Sequence, residues 1–173
     1  NPSFRARSLR DSKKSFTLPK NLYFIGTMNT TDRSIALLDT ALRRRFVFVE
    51  LTTDLSLLHE TIGGNVSPSK LLTVVNERIE KTLDREHKIG HSYFMGPEVV
   101  DKRSLYNIWY YRIIPLLTEY FYNDYTKVKE IIGSEFIKNN SVVYLSLAIN
   151  EKGISDFESA LMKIYNESTA NYE

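Results

Sequence analysis

Residues 22–46, LYFIGTMNTTDRSIALLDTALRRRF, restrict the fold of this chain more than any other stretch. The apolar run from Leu22 to Ile25 reads as a buried strand. From Gly26 the run gives way to small and polar residues, ending in Asn29, Thr30, Thr31 and Asp32. Ile35, Leu38 and Leu42 then recur at helical spacing, with Thr31 or Asp32 as the cap of that helix. Arg43, Arg44 and Arg45 close it, and a second apolar run starts at Phe46. Strand, polar turn, helix and strand in that order form an α/β unit. Ligands of such sheets sit beyond the carboxyl ends of the strands, where Asn29 and Asp32 fall. The arginines lie roughly 15 Å further on, at about 1.5 Å per helical residue. They are too far away for the same crevice but suited to a neighbouring subunit's, as an arginine finger is in phosphoryl transfer.

The stretch resembles the second half of a AAA+ nucleotide-hydrolase module, most closely the McrB group, GTP-driven motor subunits of modification-dependent restriction systems. Residues 28–34, MNTTDRS, are similar to that group's MNTxDRS signature, and residues 41–46, ALRRRF, to its arginine-finger segment. Residues 89–94, IGHSYF, resemble a segment that the group carries in the helical part after the core. The resemblance covers about residues 18–122. It implies that Asn29 stands at sensor 1, orienting the attacking water, with Thr30, Asp32 and Arg33 beside it. Arg33 is a cation in the first turn of a helix, where the dipole disfavours it, which points to a carboxylate, phosphate or partner subunit. Consecutive helical residues point about 100° apart, so the three arginines cannot all be fingers. The resemblance favours Arg43 and Arg44. Gly90, His91 and Ser92 are its candidates for nucleotide contact from the lid side. The implied ligand is GTP, or ATP, with Mg²⁺. The implied partners are further copies in a hexameric ring, a McrC-like nuclease subunit, and DNA through the assembly.

The chain departs from the full module. It contains no G-x-x-x-x-G-K-[ST] phosphate loop. Phe46–Glu50 mimics a Walker-B strand, but it follows the arginines, so Glu50 reads as a strand-end residue. The expectation is therefore the C-terminal part of a AAA+ module whose phosphate-binding half lies outside this chain, leaving the chain inactive alone. Residues 1–60 are assigned to an α/β remnant of the core and residues 61–173 to a mainly α-helical lid with a C-terminal strand.

Composition is compatible with this. Hydrophobic residues make up 42% and charged residues 25% of 173, an ordinary globular balance. No apolar run approaches a membrane span, the basic N-terminal stretch does not read as a secretory signal, and cysteine is absent. A cytoplasmic protein without cysteine metal sites is expected. No other histidine or carboxylate grouping has metal-ligand spacing. Residues 1–46 hold ten Lys/Arg against three Asp/Glu, and the remainder thirteen against eighteen. A basic first part suits phosphates or DNA. Two alternatives follow: a non-catalytic DNA-binding or adaptor module, and an ATP-using AAA+ remodelling protein of another branch.

Local signals place the other elements. Residues 1–20 read as a loop or irregular extension, and residues 46–51 as a buried parallel strand. Asp54 caps a short helix, and Gly63-Gly64-Asn65 is a loop. Ser67-Pro68 starts a helix with an apolar stripe of Leu71, Leu72, Val75, Ile79 and Leu83. Asp101 or Ser104 begins a long aromatic-rich helical region in which Pro115 kinks the helix or starts its second half. A short helix over 124–132 ends at Gly133. Residues 138–140 turn, residues 141–149 read as a strand, and Ser155 with Glu158 offers a capping box for the last helix.

Overall fold

The computed structural model describes residues 4–7, 15–28, 44–97, 99–150 and 153–169. The chain divides into two compact units, residues 1–35 and 36–173. In the first, β1 (Phe4–Arg7) and β2 (Ser15–Leu18) form an antiparallel hairpin, with Phe4 opposite Leu18 and Arg7 opposite Ser15. This corrects the loop expected over residues 1–20. Four-residue strands are too short for an alternation pattern to stand out, and their pairing is not visible locally.

Two expected buried strands are not formed. Residues 22–28 carry no regular structure, and Tyr23, Phe24 and Ile25 are exposed. Residues 46–51 are likewise irregular, with Val47 92% and Leu51 91% exposed. A buried parallel strand needs a ladder on each edge and cover on both faces. Nothing among the described residues supplies either.

The second unit is helical. Its core lies among α1 (Pro68–Thr82), α2 (Lys102–Ile108), α3 (Ile114–Tyr120), α4 (Tyr125–Ile132) and α5 (Asp156–Thr169). Helix α1 starts where expected. Ser67 Oγ accepts from the Lys70 N–H at 3.4 Å, and Pro68 occupies the first turn, where its missing N–H costs nothing. Leu71, Leu72, Val75 and Ile79 are buried at its face, which packs against α4 and α5. Arg78 on α1 donates to the carbonyls of Ile131 and Ile164 at 2.9 and 3.0 Å, linking three helices.

Asp101 and Ser104 cap α2 reciprocally. Between α2 and α3 the helix widens into a π segment, Trp109–Ile113, closed by the Ile114 N–H bonding back to the Trp109 carbonyl. Pro115 explains the widening. It lacks an N–H and its ring crowds the carbonyl four residues earlier, and a wider turn relieves both. The second half accordingly begins with Pro115 in its first turn. Asp124 caps α4, and Gly133 ends it at φ +90°.

The strand expected over 141–149 is cut to two residues. β3 (Ile137–Lys138) and β4 (Ser141–Val142) pair across Asn139 and Asn140, whose φ values of 49° and 54° are those of a type I′ turn. Beyond Val142 the backbone instead wraps the aromatic core: the Tyr110 hydroxyl donates to the Val143 carbonyl at 2.8 Å and accepts from the Leu145 N–H at 2.9 Å.

The capping box at α5 is buried. The Glu158 carboxylate accepts from the Ser155 N–H at 2.9 Å, the Ser155 hydroxyl at 2.8 Å and the Asn65 amide at 3.3 Å. Burial favours the neutral acid, but these donors outweigh it and hold the carboxyl below its usual range. A carboxyl whose folded pKa is depressed contributes stability above its unfolded pKa and loses it as pH falls through the folded value. The thermal midpoint should therefore drop as pH falls from about 5, just above the ordinary glutamate value, and go on dropping through the lower folded one. Glu158→Gln should flatten part of that slope. An unaltered slope would show that Glu158 is not a linked group.

Candidate functional site

The expected site residues divide into two sets. Asn29, Thr30, Asp32, Arg33 and Arg43 lie outside the described residues. Arg44, Gly90, His91 and Ser92 lie within them. Arg44 and Arg45 are exposed, in a turn just before the exposed apolar run 46–51.

Gly90, His91 and Ser92 sit in a fixed turn. His91–Phe94 is one turn of 3₁₀ helix, with Gly90 leading in at φ −73°. Gly90 thus does not use its freedom for positive φ, and a Cβ there would meet the Ser92 Oγ at an ordinary 3.6 Å. Ile89 and Phe94 are buried in the core on either side, which leaves His91 half-buried and Ser92 exposed. The turn is therefore presented outward on two apolar anchors.

Polar contacts fix its orientation. Asn76, on the buried face of α1, donates its amide to the Ile89 carbonyl at 2.9 Å and accepts the Ile89 N–H at 2.7 Å. This two-bond clamp holds both backbone groups of the residue before Gly90. The Thr53 hydroxyl approaches the same carbonyl at 3.5 Å. The Asp54 N–H donates to His91 Nδ1 at 3.0 Å. An acceptor Nδ1 carries no proton, so the neutral ring bears its hydrogen on Nε2 and offers a donor there.

The connection from α1 to this turn is also ordered. Asp84 Oδ1 accepts the backbone N–H groups of Glu86 and His87 at 2.9 and 3.1 Å and meets His87 Nδ1 at 2.7 Å. The His87 contact is the main cause holding the Asp84 carboxyl below its usual range. His87 packs edge-on to Tyr120 at 4.8 Å. Arg85 forms an ion pair with Glu50, giving that residue a partner that the strand-end reading had not supplied.

Sequence reasoning missed Asn76, Thr53 and Arg85. Asn76 left a signal: it is a polar side chain four residues after Leu72 and three before Ile79, on an otherwise apolar stripe. A buried amide in that place requires partners for both ends. Asp54 was read only as a cap. It is one, accepting from the Ser56 N–H at 3.0 Å and the Ser56 hydroxyl at 2.7 Å, which lower its pKa. Its own N–H serves His91.

Among the described residues no group of three His, Cys, Asp or Glu side chains could hold a metal ion. With Nδ1 engaged by Asp54, the neutral His91 ring and the exposed Ser92 hydroxyl offer donors on the outer side of the turn. Among the described residues no helix is long and apolar enough to cross a membrane.

Comparison with known proteins adds two findings. Residues 67–129, which include the Asn76 clamp and the His91 turn, match the family described as McrB, alpha-helical lid domain. The chain is 35% identical over 130 residues to the type IV methyl-directed restriction enzyme EcoKMcrB subunit of Escherichia coli (strain K12). That alignment covers 66% of this chain and 28% of the relative. The chain thus spans little more than a quarter of the length of the curated protein it matches.

Proposed function

We propose that this chain, which is an McrB-type C-terminal region, forms part of a AAA+ nucleoside-triphosphatase, the GTP-hydrolysing motor of a modification-dependent DNA restriction system. The observation that carries the reading is the lid match over 67–129, which contains the IGHSYF turn and follows the ALRRRF segment in the order the McrB group has them. Residues 1–60 are the C-terminal part of the α/β core and residues 61–173 the lid with its extension. The exposed apolar runs 22–28 and 46–51 support this division. An exposed apolar run marks an interaction site, and for each of these two the occupant in this reading is the phosphate-binding half of the module.

In the complete cytoplasmic protein the chain's own residues divide the work. Asn29, with Thr30, Asp32 and Arg33 next to it, positions the water at the end of the core strand. Arg43 and Arg44 reach the nucleotide of the neighbouring subunit in a ring, a hexamer by resemblance to the group. Gly90, His91 and Ser92 approach the nucleotide from the lid, where Nε2 and the Ser92 hydroxyl meet acceptor oxygens. GTP with Mg²⁺ supplies the phosphoryl chemistry when bound. A McrC-type nuclease and DNA complete the assembly.

The test is turnover of GTP and of ATP by the complete protein with Mg²⁺, with and without the nuclease subunit and DNA, alongside its mass in solution. Faster GTP turnover by a ring that the nuclease stimulates is the expected result. Equal or faster ATP turnover would move the chain to an ATP-using remodelling branch. Salt-sensitive DNA binding without any turnover would make it a non-catalytic module.

A further inference from the structure

Residues 50–54 run between the arginine segment and the His91 turn, and three contacts bind them to the lid. Glu50 pairs with Arg85, the Thr53 hydroxyl approaches the Ile89 carbonyl at 3.5 Å, and the Asp54 N–H donates to His91 Nδ1 at 3.0 Å. Just beyond, Leu55 and Leu58 pack against the helical core and anchor the far end. Arg44 lies six residues before Glu50, at most about 20 Å of extended chain at roughly 3.3 Å per residue. Thus the segment that carries the arginines is held to the turn that carries His91 by two side chains and one backbone N–H of the same short strip.

We infer that residues 50–54 act as a strap that couples the position of the His91 turn to the arginine segment, with the two ring nitrogens of His91 serving opposite ends of that coupling. This rests on the nucleotide-hydrolase reading above. Nδ1 holds the strap through the Asp54 N–H. Nε2, the protonated nitrogen, donates to an acceptor oxygen of the nucleotide. A ligand that reorients the ring moves Asp54 with it, and the displacement passes along the strap toward arginines that act on the next subunit. The contacts suit a switch because the charged pair is exposed on both sides, at 59% for the Arg85 side chain and 64% for Glu50. Exposed pairs are weak enough to break and reform. Thr53 and the Asp54 backbone are positioning groups here, since they act through His91 and Ile89.

Amides that imitate one ring nitrogen each separate the two ends. In the complete protein, His91→Asn keeps an acceptor near the Nδ1 position and removes the donor at Nε2. His91→Gln keeps a donor near Nε2 and releases Asp54. One hydrogen bond corresponds to a change of about 2–10-fold. We expect His91→Asn to raise the KM for nucleotide by about that factor and, because the ligand then no longer engages the ring, to lower kcat as well. We expect His91→Gln to lower kcat by a similar factor, more than it raises KM. As a second arm, Arg85→Glu should lower kcat by about 2–5-fold, and adding Glu50→Arg should restore it, as a weak surface pair allows. Equal effects of the two His91 variants on both constants, or no rescue by the charge exchange, would overturn the strap. A wild-type protein that hydrolyses no nucleotide would instead overturn the functional reading on which it rests.

Discussion

Replacing Arg43 and Arg44 together by alanine in the complete protein should lower nucleotide hydrolysis by about 10³-fold or more, the scale of an arginine finger in other phosphoryl-transfer systems. Nucleotide binding should persist, because on the proposed reading the arginines serve the neighbour's transition state rather than their own subunit's ground-state site. Arg44 is exposed in the turn ahead of the apolar run 46–51, so its guanidinium is available to a second copy of the chain. Arg45 shares that turn and is exposed as well, which makes Arg45→Ala a useful companion. A finger acting in trans also makes a distinct prediction for mixed rings. Arg43→Ala/Arg44→Ala subunits should regain turnover when paired with subunits that supply intact arginines but cannot bind nucleotide themselves. Turnover unchanged in the double variant would sink the assignment. Turnover lost together with nucleotide binding would make the arginines part of their own subunit's site.

What could be read from the sequence was what neighbouring residues decide among themselves. Ser67-Pro68, Asp101 with Ser104, Asp124 to Gly133, and Ser155 with Glu158 all mark helix ends through contacts three or four residues apart, and all are in place. Of the tyrosines in the aromatic-rich region, Tyr110 joins the core, while Tyr111 and Tyr122 stay exposed. Strands were harder to read. The short β1–β2 and β3–β4 ladders depend on pairings that no local pattern announces. Residues 22–28 and 46–51 have strand composition, yet composition does not make a strand where the described residues supply no ladder partner. Pro115 announced a break but not its form, because widening the turn and kinking the helix relieve the same clash. The His91 turn was found by its motif, whereas its supports were not. The Asn76 clamp on Ile89 spans thirteen residues and the Asp54 contact to His91 thirty-seven, distances at which spacing alone carries no information.

The largest stability effect is expected at Phe157. Its ring is fully buried where α5 meets the aromatic core, 5.0 Å from Tyr106, 5.7 Å from Tyr110 and 6.2 Å from Phe136. Its backbone is fixed as well: the Phe157 N–H donates to the Ser146 carbonyl at 3.2 Å, and the preceding Ser155 is held by Glu158. The surroundings therefore cannot slide inward to fill a gap. Phe157→Ala should cost about 3–5 kcal/mol, the transfer term plus an unfilled cavity. Domains of this size hold about 5–15 kcal/mol in total. A loss of that order lowers the melting temperature by roughly 10 °C, at about 2–4 °C per kcal/mol. Phe157→Leu, which keeps most of the volume, should cost about 1.5 kcal/mol or less. Urea unfolding of the two variants measures both losses. Equal costs for Ala and Leu would mean that the three neighbouring rings close over the space, and that α5 is held chiefly by its capping box and the Arg78 contact to the Ile164 carbonyl.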